Sequence, residues 1–80
     1  MFYVYIIQSV HFSRYYVGHS DDLNRRLHQH NSGYTRSTKP YLPWKIVYTE
    51  ICLTKQEAYR REMQIKSYKG GRAFKSLVNR

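Results

Sequence analysis

The run Phe2-Tyr-Val-Tyr-Ile-Ile7 constrains this chain more than any other feature. Six β-branched or aromatic residues in succession read as a strand. Being apolar on both faces, that strand needs cover on both, which predicts a central position in a sheet. Eighty residues leave room for one layer of sheet and a few helices. A chain this short buries only about 60% of the surface its unfolded form exposes, so its core is thin. One domain over residues 1–80 is expected.

The remaining elements follow from local signals. Residues 8–13 are turn-like, and Arg14-Tyr-Tyr-Val-Gly18 reads as a second strand that makes a hairpin with the first. Ser20 is expected to cap a helix running to about Asn31, with Asp21 and Asp22 suiting its positive end. Ser32-Gly33 stops it. A loop follows to Pro43, and Trp44 to Ile51 is a third strand. Thr54-Lys-Gln-Glu57 has capping-box spacing and opens a second helix to about Lys69. Gly70-Gly71 breaks it, and Arg72 to Val78 forms a short last helix. The order ββαβαα predicts an α+β domain on a three-stranded, mostly antiparallel sheet.

Charge points to the partner. Fourteen Lys and Arg against five Asp and Glu give +9. That excess favours a polyanion, nucleic acid before an anionic membrane. The alternative is a basic surface that only aids solubility. Cys52 stands alone between Ile51 and Leu53 and reads as a packed thiol. A lone cysteine fits a reducing compartment. No segment has the length and apolarity of a membrane span, and the N-terminus has no signal-peptide pattern. A cytoplasmic location is expected.

Glu62 stands out among the five acids. Asp21, Asp22 and Glu57 suit helix starts, and Glu50 is expected to be solvated near a strand end. Glu62 shares a helix face with Ala58 and Ile65, so it should meet the core. A carboxylate there needs a cation, a hydrogen-bond network or a raised pKa. It is either functional or an ion pair, with Lys66 one turn on as a ready partner. On the first helix Arg26 and His30 stand four apart beside the Leu23–Leu27 line. They either grip a phosphate or belong to the charged surface. His19 and His28 are expected to be solvated. Nine tyrosines are present. Tyr3, Tyr5 and Ile7 share one strand face, and Tyr16 and Gly18 share a face of the next.

Tyr3-Val4-Tyr5 and Tyr16-Val17-Gly18 resemble the paired tripeptides of the GIY-YIG nuclease family. Arg26, ten residues after Tyr16, falls where that family keeps a catalytic arginine. His30 and Glu62 fall where it has His or Tyr and a metal-binding glutamate. Asn31-Ser-Gly33 and Arg61 to Lys66 look like its small, stand-alone bacterial members, related to the nuclease domain of the excinuclease C subunit. The chain departs from the pattern at Tyr3, which stands for Gly, and in Val for Ile in both tripeptides. Asn79 is a weak match to the family's late asparagine.

The resemblance covers essentially the whole chain and implies the GIY-YIG fold. It implies a metal-dependent endonuclease acting on DNA in repair or recombination. Glu62 would hold one divalent ion, Mg²⁺ or Mn²⁺. Arg26 would stabilise charge on the phosphate, and Tyr5, Tyr16 or His30 would be the general base. Arg36, Lys39, Arg60, Lys66, Lys69 and Arg72 are the expected backbone contacts. With no appended DNA-binding domain in these residues, specificity would be weak or come from a protein partner. The competing reading is a non-catalytic nucleic-acid-binding module on the same fold.

Overall fold

The computed structural model describes residues 1–79. Strand β1 (Phe2–Ser9) is the centre of a three-stranded sheet, with β2 (Tyr15–Ser20) on one side and β3 (Trp44–Cys52) on the other. Both pairings are antiparallel. Helices α1 (Leu23–Asn31), α2 (Lys55–Ser67) and α3 (Arg72–Val78) complete an α+β fold. A short 3₁₀ turn, Lys39–Tyr41, interrupts the long loop and was not foreseen.

The central strand is covered on both faces, as its composition requires. Val4 and Ile6 pack with Val17 against Ala58 and Ile65 of α2 and Phe74 and Leu77 of α3. Tyr5 and Ile7 face the other way, toward Trp44 and the Leu23–Leu27 line of α1. Val4, Ile6 and Ile7 are fully buried. Burying each is worth about 1.5–3 kcal/mol, so this strand anchors both layers. The β1–β3 pairing shifts register between Ile6 and Ile7, which pair with Tyr48 and Ile46. Val47, left between, packs with Tyr48 into the same cluster, which a bulge allows.

Three local expectations are corrected. Ser20 is the last residue of β2, and the cap of α1 is Asp22, whose carboxylate accepts from the Arg25 amide at 3.0 Å. Ser20 Oγ instead bonds the Asp22 backbone, shaping the turn into the helix. Helix α2 ends at Ser67 rather than Lys69, because Lys69 and Gly70 both turn to positive φ. Glu50 is not free in solvent: Arg61 grips both its oxygens, at 2.7 to 3.0 Å.

The capping box is present in altered form. Thr54 Oγ1 accepts from the Glu57 amide, while the Glu57 carboxylate reaches the Leu53 amide, one residue earlier than the motif prescribes. No helix among the described residues is long and apolar enough to cross a membrane.

Candidate active site

The hairpin register sets the site. Tyr5 lies opposite Gly18, and Ile7 opposite Tyr16, so Tyr5, Gly18 and Tyr16 share the face toward α1. The hydroxyl end of the Tyr5 ring lies over Gly18. A Cβ on Gly18 would stand 2.5 Å from the Tyr5 hydroxyl and 2.7 Å from its ring carbon. Only glycine lets the phenol settle there. Tyr16 packs beside it with ring centroids 6.4 Å apart.

Helix α1 brings Arg26 and His30 to this face. His30 Nε2 lies 2.9 Å from the Tyr5 hydroxyl, and its ring sits edge-on to Tyr16 at 4.8 Å. The Nδ1 atom lies 2.9 Å from Thr38 Oγ1. Thr38 turns its own hydrogen to the Thr35 carbonyl, so its oxygen receives Nδ1–H from His30. That assigns the tautomer: Nε2 carries the lone pair and accepts the Tyr5 proton. Arg26 Nε–H donates to the same phenol oxygen at 3.3 Å, and its Nη1 donates to Gln29. Tyr5 therefore donates to an imidazole and accepts from a guanidinium.

Electrostatics follow the burial. Tyr5 is 2% exposed and His30 0%. Burial pushes the Tyr5 phenol up to about 12, against the pull of Arg26. Burial, and then the nearby Arg26 charge, pushes His30 down to about 4. At neutral pH both are uncharged. Burial opposes the Arg26 charge, but Tyr5 and Tyr16 hold its pKa above the ordinary value. The site is a fixed cation set among neutral, hydrogen-bonded rings.

The loop after α1 is built to hold Thr38 in place. Gly33 takes φ +80°, the left-handed conformation that closes the helix. The Asn31 side chain spans the loop, accepting from the Trp44 amide at 2.6 Å and donating to its carbonyl at 3.1 Å. The Trp44 indole then donates to the Thr38 carbonyl at 2.8 Å.

Glu62 faces the seam between α2 and β2 and is only 7% exposed. Its Oε1 lies 2.6 Å from His19 Nδ1, and its Oε2 2.7 Å from Lys66 Nζ. The Lys66 ammonium also lies 5.9 Å from the Tyr16 ring, which links the carboxylate to the tyrosines. The Glu62 charge contributes to holding the Tyr5 phenol protonated. His19, expected to be solvated, is thus part of this group. Strand alternation carries the missed signal: Tyr15, Val17 and His19 share a face, and Val17 meets α2. Thr38 had no such signal, since a loop hydroxyl reveals nothing of its partner.

Of the six expected backbone contacts, all are exposed. Lys66 and Lys69 line one groove with Tyr15 and Tyr16, and Arg60 lines another with His19, Lys55 and Tyr59. Arg36, Lys39 and Arg72 line neither. Lys55 and Tyr59 were not singled out from the sequence.

Comparisons with known proteins bear on the family and the fold. A family model described as the GIY-YIG catalytic domain matches residues 1–73. UPF0213 proteins of Staphylococcus aureus, strains Mu50 and N315 among them, are 40% identical over 67 residues, covering 82% of this chain and 80% of theirs. The solution NMR structure of a UPF0213 protein from Bacillus halodurans is similar with a TM-score of 0.52 and 32% identity. That match covers 95% of this chain and 80% of the other.

Proposed function

The chain belongs to the GIY-YIG catalytic-domain family, and from that premise we propose that it is a metal-dependent endonuclease that hydrolyses phosphodiester bonds in DNA, in repair or recombination. The observation that most supports this reading is the pairing of Arg26, Tyr5 and His30 on one face with a sequestered carboxylate, Glu62, within electrostatic reach.

The donor set fits one hard divalent ion. No group of three His, Cys, Asp or Glu that could hold a metal is present among the described residues. One carboxylate, with water and phosphate oxygens filling the other positions, is how Mg²⁺ is often held. Glu62 would hold it, with Mn²⁺ as the substitute. Lys66, the more exposed of the two partners, is the one able to give way, while His19 keeps Oε1 oriented. When bound, such an ion supplies Lewis-acid polarisation of the phosphate and charge for the leaving oxygen.

The protein groups divide the remaining work. Arg26 offers its permanent charge to the phosphate as negative charge builds in the transition state. Tyr5, with its phenol pushed to about 12 and its proton committed to His30, is ill-suited to act as a base at neutral pH. His30 is wholly buried, so it meets no substrate directly. Tyr16, half-buried and bordering the open groove with Lys66, is the phenol left to activate water. Tyr5 and His30 then position Arg26 and the Tyr16 ring.

One observation favours the non-catalytic alternative: both Glu62 oxygens are engaged, as in a structural ion-pair network. Cleavage of a labelled panel of DNA and RNA structures, with Mg²⁺, Mn²⁺ or chelator, separates the two. Metal-dependent cutting is expected. Binding without cutting in every metal would leave the non-catalytic module.

A further inference from the structure

Helix α2 carries a tyrosine that the fold does not use. Tyr59 is 54% exposed, with Lys55 and Gln56 one turn before it and the part-exposed Met63 one turn after. It packs edge-on against the His19 ring, with centroids 6.2 Å apart. Around it His19, Lys55, Gln56 and Arg60 line an open groove of about 440 Å³. That is within the ordinary size of small-molecule sites. His19 is shared: one side of it meets Tyr59 and its Nδ1 holds Glu62. The groove therefore begins one imidazole away from the candidate catalytic carboxylate.

We propose that this groove is a base-binding subsite, in which an unstacked nucleobase lies on Tyr59 while its phosphates meet Lys55 and Arg60. The inference rests on the nuclease reading for its place beside the reacting phosphate. The chemistry of the lining selects the ligand. A phenol ring offers a flat apolar face, and two cations line the same groove, which suits a planar base attached to anionic phosphate. A scattered surface aromatic needs no explanation by itself. This one shares its groove with two cations and packs against a histidine that also binds Glu62.

The second groove makes a weaker subsite. Its Tyr15 is already packed edge-on to Phe74 at 5.1 Å. The Tyr59 subsite would hold the nucleotide next to the one being cut. A substrate with a base free of its stack at that position is then preferred over an intact duplex.

The test is binding of short labelled DNA strands in chelator, by fluorescence anisotropy, with a single abasic position walked along the strand. Tyr59→Ala should weaken binding about five- to a hundredfold, the range for losing one base stack. Tyr59→Phe should bind as the unaltered protein does. One abasic position should reproduce the loss in the unaltered protein and cost Tyr59→Ala nothing further, since the two changes remove one contact. Circular dichroism of Tyr59→Ala checks its fold. Unchanged binding by Tyr59→Ala, or losses that add at every abasic position, overturns the subsite. Cleavage of the same strands in Mg²⁺ separates the two readings. Cutting that is indifferent to Tyr59 overturns the subsite alone, and Tyr59-dependent binding without cutting overturns the nuclease reading alone.

Discussion

His30 is a titratable ring held entirely out of water. Its ring is fully buried, both nitrogens are bonded, and Arg26 adds a positive charge nearby. Folded, it takes a proton only near pH 4, while the unfolded chain takes one near 6.5. Its contribution to stability is complete above pH 6.5, falls as the pH drops toward 4, and is lost below. The loss amounts to at most about 3 kcal/mol. Denaturant midpoints between pH 7 and 4 should therefore fall more steeply for the unaltered protein than for His30→Gln. Parallel curves would mean the imidazole is not held neutral.

Gly18 gives a second prediction at this scale. In Gly18→Ala the new methyl collides with the Tyr5 ring and hydroxyl. The phenol must leave His30 and Arg26, and cleavage should drop by about a hundredfold or more, the scale of a 1 Å misplacement. Retained activity would show that the Tyr5 position is not needed. Glu62 was legible as a misfit acid on an apolar helix face, because burial follows from helical spacing. Its partner His19 was not singled out, because that pairing depends on which strand face meets α2. The same limit applied to Glu50, whose Arg61 partner lies on a different element.

At the scale of elements, the Asn31 side chain joins the two ends of the loop between α1 and β3. Asn31 satisfies both backbone groups of Trp44, and Trp44 fixes the Thr38 carbonyl. Asn31→Ala should lower stability by about 1–3 kcal/mol, since it leaves part-buried backbone groups without partners. It should also loosen Thr38 and with it the His30 tautomer. Urea unfolding measures the first, and slowed cleavage by the still-folded variant the second. Thr54→Ala, which removes the α2 cap but touches neither Tyr5 nor His30, should cost about 1 kcal/mol in the same urea unfolding measurement. The elements themselves were readable from capping residues, glycines and apolar runs. The shift from Ser20 to Asp22 as the α1 cap was not, because strand β2 runs two residues longer than its composition suggests.

For the whole molecule, the fold was legible because a short chain with one doubly apolar strand has few ways to cover it. The distribution of the +9 charge was not, since six expected contacts fall into separate groups once the helices are docked. If four or more of these cations neutralise phosphates, log K should fall against log salt with a slope of about −3 or steeper. A slope near zero would remove the electrostatic account of binding. The central claim is that Glu62 serves metal-dependent phosphodiester cleavage. Its most direct test compares the unaltered protein with Glu62→Ala on the same labelled DNA, in Mg²⁺ and in chelator, with folding and binding measured alongside. Cutting that requires metal and disappears in a folded, DNA-binding Glu62→Ala is the predicted result. Equal cutting by the variant, or cutting that survives chelator, would contradict it.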